Sequence, residues 1–212
     1  MKRAIVIGAT SGIGRGLAES LAAQGYAVGL VGRRENLLNE IAQTDPAAYR
    51  FAVADVTRPA ETVAALEHLA QELGGMDLCV VSAGTGDLNP SLDFALEETA
   101  ILTNVLGWTA VADWAYNRFE RQGGGHLVVV SSVGGLRGGG GSGLQRLESL
   151  PDQLCRRVAA ARREGETSAL RHRRPSGLRR YGDGQGRRVV LGDAGRKDRP
   201  ADRCLLYTSD AA

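Results

Sequence analysis

Apolar residues recur along the first two thirds of the chain in two alternating patterns. Short apolar runs rich in β-branched residues, which are typical of buried parallel strands, occupy residues 3–8, 27–31, 49–54, 78–82 and 126–131. Longer segments with apolar residues at helical spacing lie between them, at residues 13–24, 34–43, 59–73 and 97–119. The pattern therefore predicts five strands alternating with four helices.

The regular alternation of strand and helix also predicts how the sheet is built. A connection that runs from one strand through a helix to a parallel strand is almost always right-handed, so successive units place helices on both faces of one sheet. We therefore expect an α/β fold with three αβα layers around a doubly wound parallel sheet, which is the Rossmann fold.

The alternation stops after Ser132. Residues 134–143 are rich in glycine, and from residue 144 onward the periodicity is weak and few residues could fill a core. We therefore expect residues 1–143 to form the folded domain, with a sheet that is incomplete at its C-terminal end. Residues 144–203 are expected to form an irregular or disordered tail.

Length and cysteine content narrow the class of protein. A chain of 212 residues is long enough for one domain with a sizeable core. Cys79, Cys155 and Cys204 are too few and too scattered for a disulfide framework or a metal site, which fits a reducing compartment. The apolar run near the N-terminus is too short for a signal peptide or a membrane span. We expect a cytoplasmic protein with no bound metal and no membrane partner.

The net charge of +2 conceals a difference between the two parts of the chain. Residues 144–203 contain 16 Lys and Arg against 8 Asp and Glu, whereas residues 1–143 contain 10 against 15. A basic tail can bind nucleic acid, but such surfaces usually place aromatic side chains among the cations for base stacking. Tyr181 is the only aromatic residue in the tail, so we expect no nucleic-acid partner.

A glycine-rich segment joins the first predicted strand to the first predicted helix. It reads Gly8-Ala9-Thr10-Ser11-Gly12-Ile13-Gly14. Small residues there let the backbone approach the pyrophosphate of a dinucleotide, and the start of the helix supplies N–H donors and a partial positive charge. The segment is therefore a candidate dinucleotide-binding loop.

The spacing of these glycines, with three residues between the first two, resembles the short-chain dehydrogenase/reductase family. Four further segments resemble landmarks of that family in the same order along the chain: Asp55-Val56, Ser82-Ala83-Gly84, Thr103-Asn104-Val105 and Ser131-Ser132. The resemblance implies that Asp55 contacts the adenine, and that Ser82 stands where the family usually has Asn. It also implies catalytic roles for Asn104 and Ser132. The cofactor-binding set that it implies further includes Val56, Ala83, Gly84 and Asn104.

The end of the second predicted strand indicates which nicotinamide cofactor is bound. Enzymes of this fold that prefer NAD place an acidic residue there to bond the ribose hydroxyls, whereas a 2′-phosphate requires a cation. Gly32 occupies the acidic position, and Arg33 and Arg34 follow it. A guanidinium can bond a phosphate in bidentate fashion, so the predicted cofactor is NADP rather than NAD. A solvated arginine pair that opens a helix is the alternative interpretation.

The resemblance implies hydride transfer between the nicotinamide and a small carbonyl or alcohol substrate. In the family a Tyr moves the proton, a Lys four residues later lowers the pKa of that Tyr, a Ser bonds the substrate oxygen, and an Asn fixes a water. Ser132 and Asn104 can fill the last two roles. The Tyr-x-x-x-Lys pair is absent, because the residues four places after the five tyrosines are Leu30, Val53, Glu120, Gln185 and Ala211. The chain as written is therefore expected to be inactive.

The absent pair coincides with the change of composition near residue 144. One permitted codon spelling of residues 144–155, read one base later, encodes YSASKAFLTNYA, which contains Tyr-x-x-x-Lys. The same shift applied to residues 172–183 permits TDVRPGFVDTAM, which resembles the family's segment that lines the nicotinamide. We therefore interpret residues 144–203 as an out-of-frame translation that begins near residues 138–144. Residues 204–212 resemble a translated sequencing adapter.

A second interpretation is a non-catalytic NADP-binding protein that has lost its acid/base pair and gained a basic tail. It predicts ordinary codon usage throughout the tail. The resemblance also implies that intact members of the family form homo-oligomers. We do not extend this expectation to the present chain, because its C-terminal part is altered.

Overall fold

A computed structural model of the chain describes residues 1–86 and 89–132, together with the backbone of three later strands. Five strands of the N-terminal part are β1 (Arg3–Ile7), β2 (Ala27–Gly32), β3 (Tyr49–Val53), β4 (Leu78–Val81) and β5 (His126–Ser132). The helices are α1 (Gly12–Ala23), α2 (Glu35–Thr44), α3 (Pro59–Glu72), α4 (Phe94–Ile101) and α5 (Trp108–Gln122). The single helix predicted at 97–119 is thus longer, and the π-helical turn Leu102–Gly107 divides it into α4 and α5.

The first five strands form a parallel sheet in the order β3-β2-β1-β4-β5. Ile7, near the end of β1, pairs with Val31 of β2 on one side and with Val81 of β4 on the other. The chain therefore leaves β1 toward one half of the sheet and returns to the other half at β4. This reversal of strand order creates a crevice at the carboxyl ends of β1 and β4, where open α/β sheets bind ligands.

The backbone of the C-terminal part contains β6 (Leu178–Gly182), β7 (Arg188–Gly192) and β8 (Arg203–Ser209). β8 is parallel to β5, and β7 is antiparallel to both β8 and β6, so the sheet order continues as β5-β8-β7-β6. β8 lies along the edge of β5, whose N–H and C=O groups are open to another strand. The expectation of an irregular tail over residues 144–203 stays a prediction. The glycine-rich segment 134–143 and the rest of the tail lie outside the described residues.

Two apolar clusters lie on opposite faces of the sheet. On one face, Ile5 and Ile7 of β1 are buried in a cluster that includes side chains of α3 and α5. On the other face, Val6 of the same strand belongs to a cluster with side chains of α1 and α2. Successive residues of a strand point to opposite faces, so the uninterrupted apolar run of β1 supplies both cores at once. The expected three-layer αβα arrangement is confirmed.

The end of α1 shows how a local sequence signal directs the chain into the sheet. Gly25, with φ of +82°, follows the helix in the left-handed region. Its N–H donates to the carbonyl of Ala22 at 2.8 Å, and the N–H of Tyr26 donates to that of Leu21 at 3.1 Å. These two bonds form a Schellman motif, which ends the helix and releases the chain into β2.

A pair of glycine substitutions in and after α1 tests this account. Gly25→Ala is expected to destabilise the fold by about 1 kcal/mol, because alanine resists the left-handed conformation. Gly16→Ala, on the exposed side of α1 where an added Cβ meets nothing within 4 Å, is expected to stabilise the fold by about 1 kcal/mol through helix propensity. Urea unfolding of both variants measures the two free energies, and effects of the same sign would contradict the assignment of Gly25 to the helix stop.

Candidate cofactor site

A cavity of about 320 Å³ opens at the carboxyl ends of the strands, at the point where the strand order reverses. Every predicted cofactor-binding residue except Gly14 and Asn104 lines it. The lining residues are Ile7, Gly8, Thr10, Ser11, Gly12, Ile13, Gly32, Arg33, Arg34, Ala54, Asp55, Val56, Ser82, Ala83, Gly84, Thr85, Thr103 and Val130. The tertiary structure thus brings residues from the carboxyl-terminal parts of five strands, from the first turn of α1 and from the π-helical turn to a single site.

The loop between β1 and α1 depends on close backbone contacts. A Cβ on Gly8 would lie 2.6 Å from the backbone nitrogen of Ala83, in the loop after β4, and Gly8 has φ of +91°. A Cβ on Gly14 would overlap the carbonyl oxygen of Gly8. Gly14 therefore supports the cavity from behind and does not line it. Only glycine at these two positions lets the start of α1 approach the end of β1 so closely.

The first turn of α1 faces the cavity with unused hydrogen-bond donors. Ser11 precedes the helix in an extended conformation, with φ of −162°, and its side chain makes no capping hydrogen bond to the helix. The N–H groups at the start of a helix have no intrahelical partners and carry partial positive charge. This arrangement is suited to binding a phosphate group.

Arg34 fixes the outer edge of the loop. Its Nη2 donates hydrogen bonds to Thr10 Oγ1 at 2.6 Å and to Ser11 Oγ at 2.8 Å. A Cβ on Gly32 would lie 2.9 Å from Thr10 Cγ2, so there is no room for an acidic side chain in this arrangement. Both arginines are exposed and line the cavity, but Arg34 is bonded to the loop, whereas the charge of Arg33 acts on Asp55.

Asp55 is held at the end of β3 by its own turn. Its Oδ1 accepts a hydrogen bond from the N–H of Thr57 at 3.0 Å and one from the Thr57 hydroxyl at 2.8 Å. Burial raises the pKa of Asp55, but the two bonds from Thr57 and the charges of Arg33 and Arg58 outweigh it and leave the pKa below its ordinary value. Asp55 is therefore an anion at neutral pH.

Asn104 lies in the π-helical turn, behind the cavity wall. Its Oδ1 accepts a hydrogen bond from the N–H of Thr85 at 2.9 Å, and its Nδ2 donates to the carbonyl of Thr85 at 2.6 Å. The side chain thus fixes the backbone of the loop that follows β4. Gly84 and Thr85 in this loop both line the cavity, so Asn104 shapes the cavity through them.

Ser132 is the last residue of β5, and only its backbone is described. Its assignment as a catalytic residue stays a prediction. Residues 144–155, whose shifted reading frame permits the Tyr-x-x-x-Lys pair, lie outside the described residues.

Six lining residues were not among the predicted cofactor-binding residues: Ile7, Gly32, Ala54, Thr85, Thr103 and Val130. Three of them, Ile7, Gly32 and Ala54, stand at or just beyond strand ends, and this position in an α/β sheet was a usable signal. Thr85 enters the cavity wall through its bonds to Asn104, a contact 19 residues apart that no local pattern reveals.

Comparison with known proteins defines the family of this chain. The family model described as short chain dehydrogenase matches residues 2–143. An uncharacterized oxidoreductase of Staphylococcus epidermidis is 35% identical over 137 residues, which cover 64% of this chain and 60% of that protein. One from Myxococcus xanthus is 37% identical over 142 residues, covering 65% of this chain and 56% of the relative. The chain belongs to the short-chain dehydrogenase/reductase family, whose members are oxidoreductases.

Solved structures show the same fold. A short-chain type dehydrogenase/reductase from Mycobacterium ulcerans superposes with a TM-score of 0.71 at 28% identity, over 76% of this chain and 62% of that one. Levodione reductase superposes with a TM-score of 0.69 at 27% identity, over 77% and 67%. The chain thus spans about 60% of the length of the Staphylococcus relative.

No helix among the described residues is both long and apolar enough to cross a membrane. Within residues 1–86 and 89–132, no group of three His, Cys, Asp or Glu side chains could hold a metal ion.

Replacing Asn104 tests its structural contribution to the site. Asn104→Ala removes both partners of the Thr85 backbone and is expected to destabilise the fold by about 1–3 kcal/mol. Asn39→Ala, on the exposed surface of α2, is the matched control and should stay within about 0.5 kcal/mol of the parent. Chemical denaturation gives both values, and equal effects would show that the Thr85 contacts contribute little.

The charge of Asp55 gives a pH-dependent prediction. A carboxylate whose pKa is lowered by folding stabilises the fold above its unfolded pKa of about 4, and this contribution is lost as the pH falls through the folded pKa. Asp55→Asn keeps an oxygen for both Thr57 bonds but cannot titrate. We expect the variant to be less stable than the parent at pH 7, and the difference to shrink as the pH falls from 5 to 3. A difference that stays constant over this range in thermal unfolding would contradict the assignment.

Proposed function

We propose that this sequence represents an NADP(H)-dependent oxidoreductase that transfers a hydride between the nicotinamide and a small carbonyl or alcohol. The observation that carries the proposal is the arrangement at the end of β2, where Gly32 replaces an acidic residue and Arg34 bonds Thr10 and Ser11. A cytoplasmic location and the absence of a nucleic-acid partner belong to the same proposal.

The residues present fit a dinucleotide. The first turn of α1, which begins at Gly12, would hold the pyrophosphate, because its N–H groups are free of a side-chain cap. The adenine would lie near Asp55 and Val56. Because Gly8 and Gly14 have no side chains, the backbone of the loop between β1 and α1 would be free to approach the phosphates. When bound, the nicotinamide supplies or accepts the hydride.

The charges around the cavity support NADP over NAD. Without an acidic side chain at Gly32, the ribose hydroxyls lose the partner that an NAD site offers. Arg33 and Arg34 both line the same wall, where a 2′-phosphate can accept hydrogen bonds from a guanidinium. Two solved structures that share the fold, ElxO and actinorhodin polyketide ketoreductase, hold NADP and NADPH, at 22% and 23% identity.

Proton transfer is the part of the mechanism that this chain lacks as written. Asn104 holds the loop after β4, and Ser132 would bond the substrate oxygen, but no Tyr-x-x-x-Lys pair occurs in the sequence. We propose that a frameshift near residues 138–144 conceals the pair. The 212-residue chain would then bind the cofactor and fail to turn over substrate.

Resequencing the gene across codons 130–150 tests the frameshift. A corrected frame should restore Tyr-x-x-x-Lys, and its product should oxidise NADPH with members of a panel of ketones and aldehydes. An unchanged sequence would leave the second candidate function, a non-catalytic NADP-binding protein. The absence of the acid/base pair beside an intact cavity is the observation that favours this candidate.

Cofactor choice is tested by removing Arg34. A charge-assisted hydrogen bond contributes about 1.5–3 kcal/mol, so Arg34→Ala should weaken NADPH binding roughly tenfold or more relative to NADH binding. The ratio of the two dissociation constants is the decisive quantity, since loosening of the Thr10–Ser11 loop affects both cofactors alike. Arg121→Ala, exposed at the end of α5, is the control. An unchanged ratio in both Arg33→Ala and Arg34→Ala would contradict the NADP assignment.

A further inference from the structure

The π-helical turn Leu102–Gly107 contacts two separate walls of the cavity. Thr103 lines the cavity directly, and Asn104 bonds Thr85 in the loop after β4. At its other end, Gly107 lies against Val56, just beyond β3. A π turn inside a longer helix is rare and often occurs at a functional site.

The contact of Gly107 leaves no space for a side chain. Gly107 is buried, and an added Cβ would overlap the carbonyl oxygen of Val56 and lie 2.8 Å from its Cβ. Part of the contact is backbone and cannot be relieved by a change of rotamer. A larger residue at position 107 must therefore displace either the π turn or the segment Asp55–Val56.

The wall after β3 and the wall after β4 follow strands that are not neighbours in the sheet. β3 and β4 are separated by β2 and β1 in the strand order. The π turn reaches across this distance, because Asn104 bonds the wall after β4 while Gly107 contacts the wall after β3. The position of the wall at Asp55–Val56 relative to the π turn therefore depends on how closely Gly107 approaches Val56.

We propose that Gly107 is a positioning residue for cofactor binding: through its contact with Val56 it fixes the wall that receives the adenosine end of the cofactor. The inference rests on the proposed function, since it requires that the cavity binds NADP. It assigns to Gly107 no contact with the cofactor, because Gly107 does not line the cavity. A substitution there should act on affinity through Asp55 and Val56.

Gly107→Ala tests the proposal, with Gly16→Ala as a matched glycine-to-alanine control outside the cavity. Isothermal titration of the full chain with NADPH and with adenosine 2′,5′-bisphosphate gives the dissociation constant and the binding stoichiometry separately. We expect Gly107→Ala to raise both dissociation constants tenfold or more and by the same factor, because the two ligands share the adenosine end. Gly16→Ala should leave both constants unchanged.

If Gly107 only supported folding, Gly107→Ala would give a different titration result. It would lower the binding stoichiometry, which reports the folded fraction, and leave the dissociation constants of that fraction at the parental values. That result overturns the proposal. Failure of the parent chain to bind either ligand would instead overturn the proposed function itself.

A measurement on the parent chain covers the case in which Gly107→Ala yields no folded protein. Binding of adenosine 2′,5′-bisphosphate should slow amide hydrogen exchange at residues 105–111, none of which lines the cavity, together with residues 55–56. Slower exchange at residues 55–56 with no change at 105–111 would overturn the proposal.

Discussion

The close approach of the backbone of α1 to the end of β1 is the constraint on which the rest of the site depends. It exists because Gly14 has no side chain to collide with the carbonyl of Gly8, and because Gly8 in turn touches the backbone at Ala83. These contacts direct the free N–H groups of α1 into the crevice at the strand ends. If either glycine carried a side chain, the helix would retreat and the cavity would lose its anion-binding end.

Charged side chains lie at two places around the cavity: a positive one, Arg34, beside the loop after β1, and a negative one, Asp55, at the end of β3. Arg34 extends the positive end of the cavity by bonding the hydroxyls of Thr10 and Ser11. Asp55 stays ionised on another wall, because Thr57 and the nearby arginines hold its pKa low. A nucleotide with a phosphate at one position and an adenine at another suits such a division, since each charge faces a different part of the ligand.

The two halves of the candidate site, the one for the cofactor and the one for catalysis, are not equally complete in this chain. The first is the cavity at the strand ends, whose lining residues are all described and all lie within the part of the chain that the family model matches, residues 2–143. The second needs a Tyr and a Lys that the sequence does not contain in the required spacing. The boundary between the two falls where the composition changes, near residue 144.

The sequence alone determined the layers of the fold, the order of strands and helices, and the loop at Gly8–Gly14, because these depend on local periodicity and on glycine at fixed positions. The tertiary structure decided the rest. It showed that Arg34 and not Arg33 bonds the loop, that a π turn divides the last long helix, and that Asn104 holds Thr85. The bonds of Arg34 and Asn104 join residues 19 or more positions apart, whose distances are fixed only when the sheet brings the strand ends together.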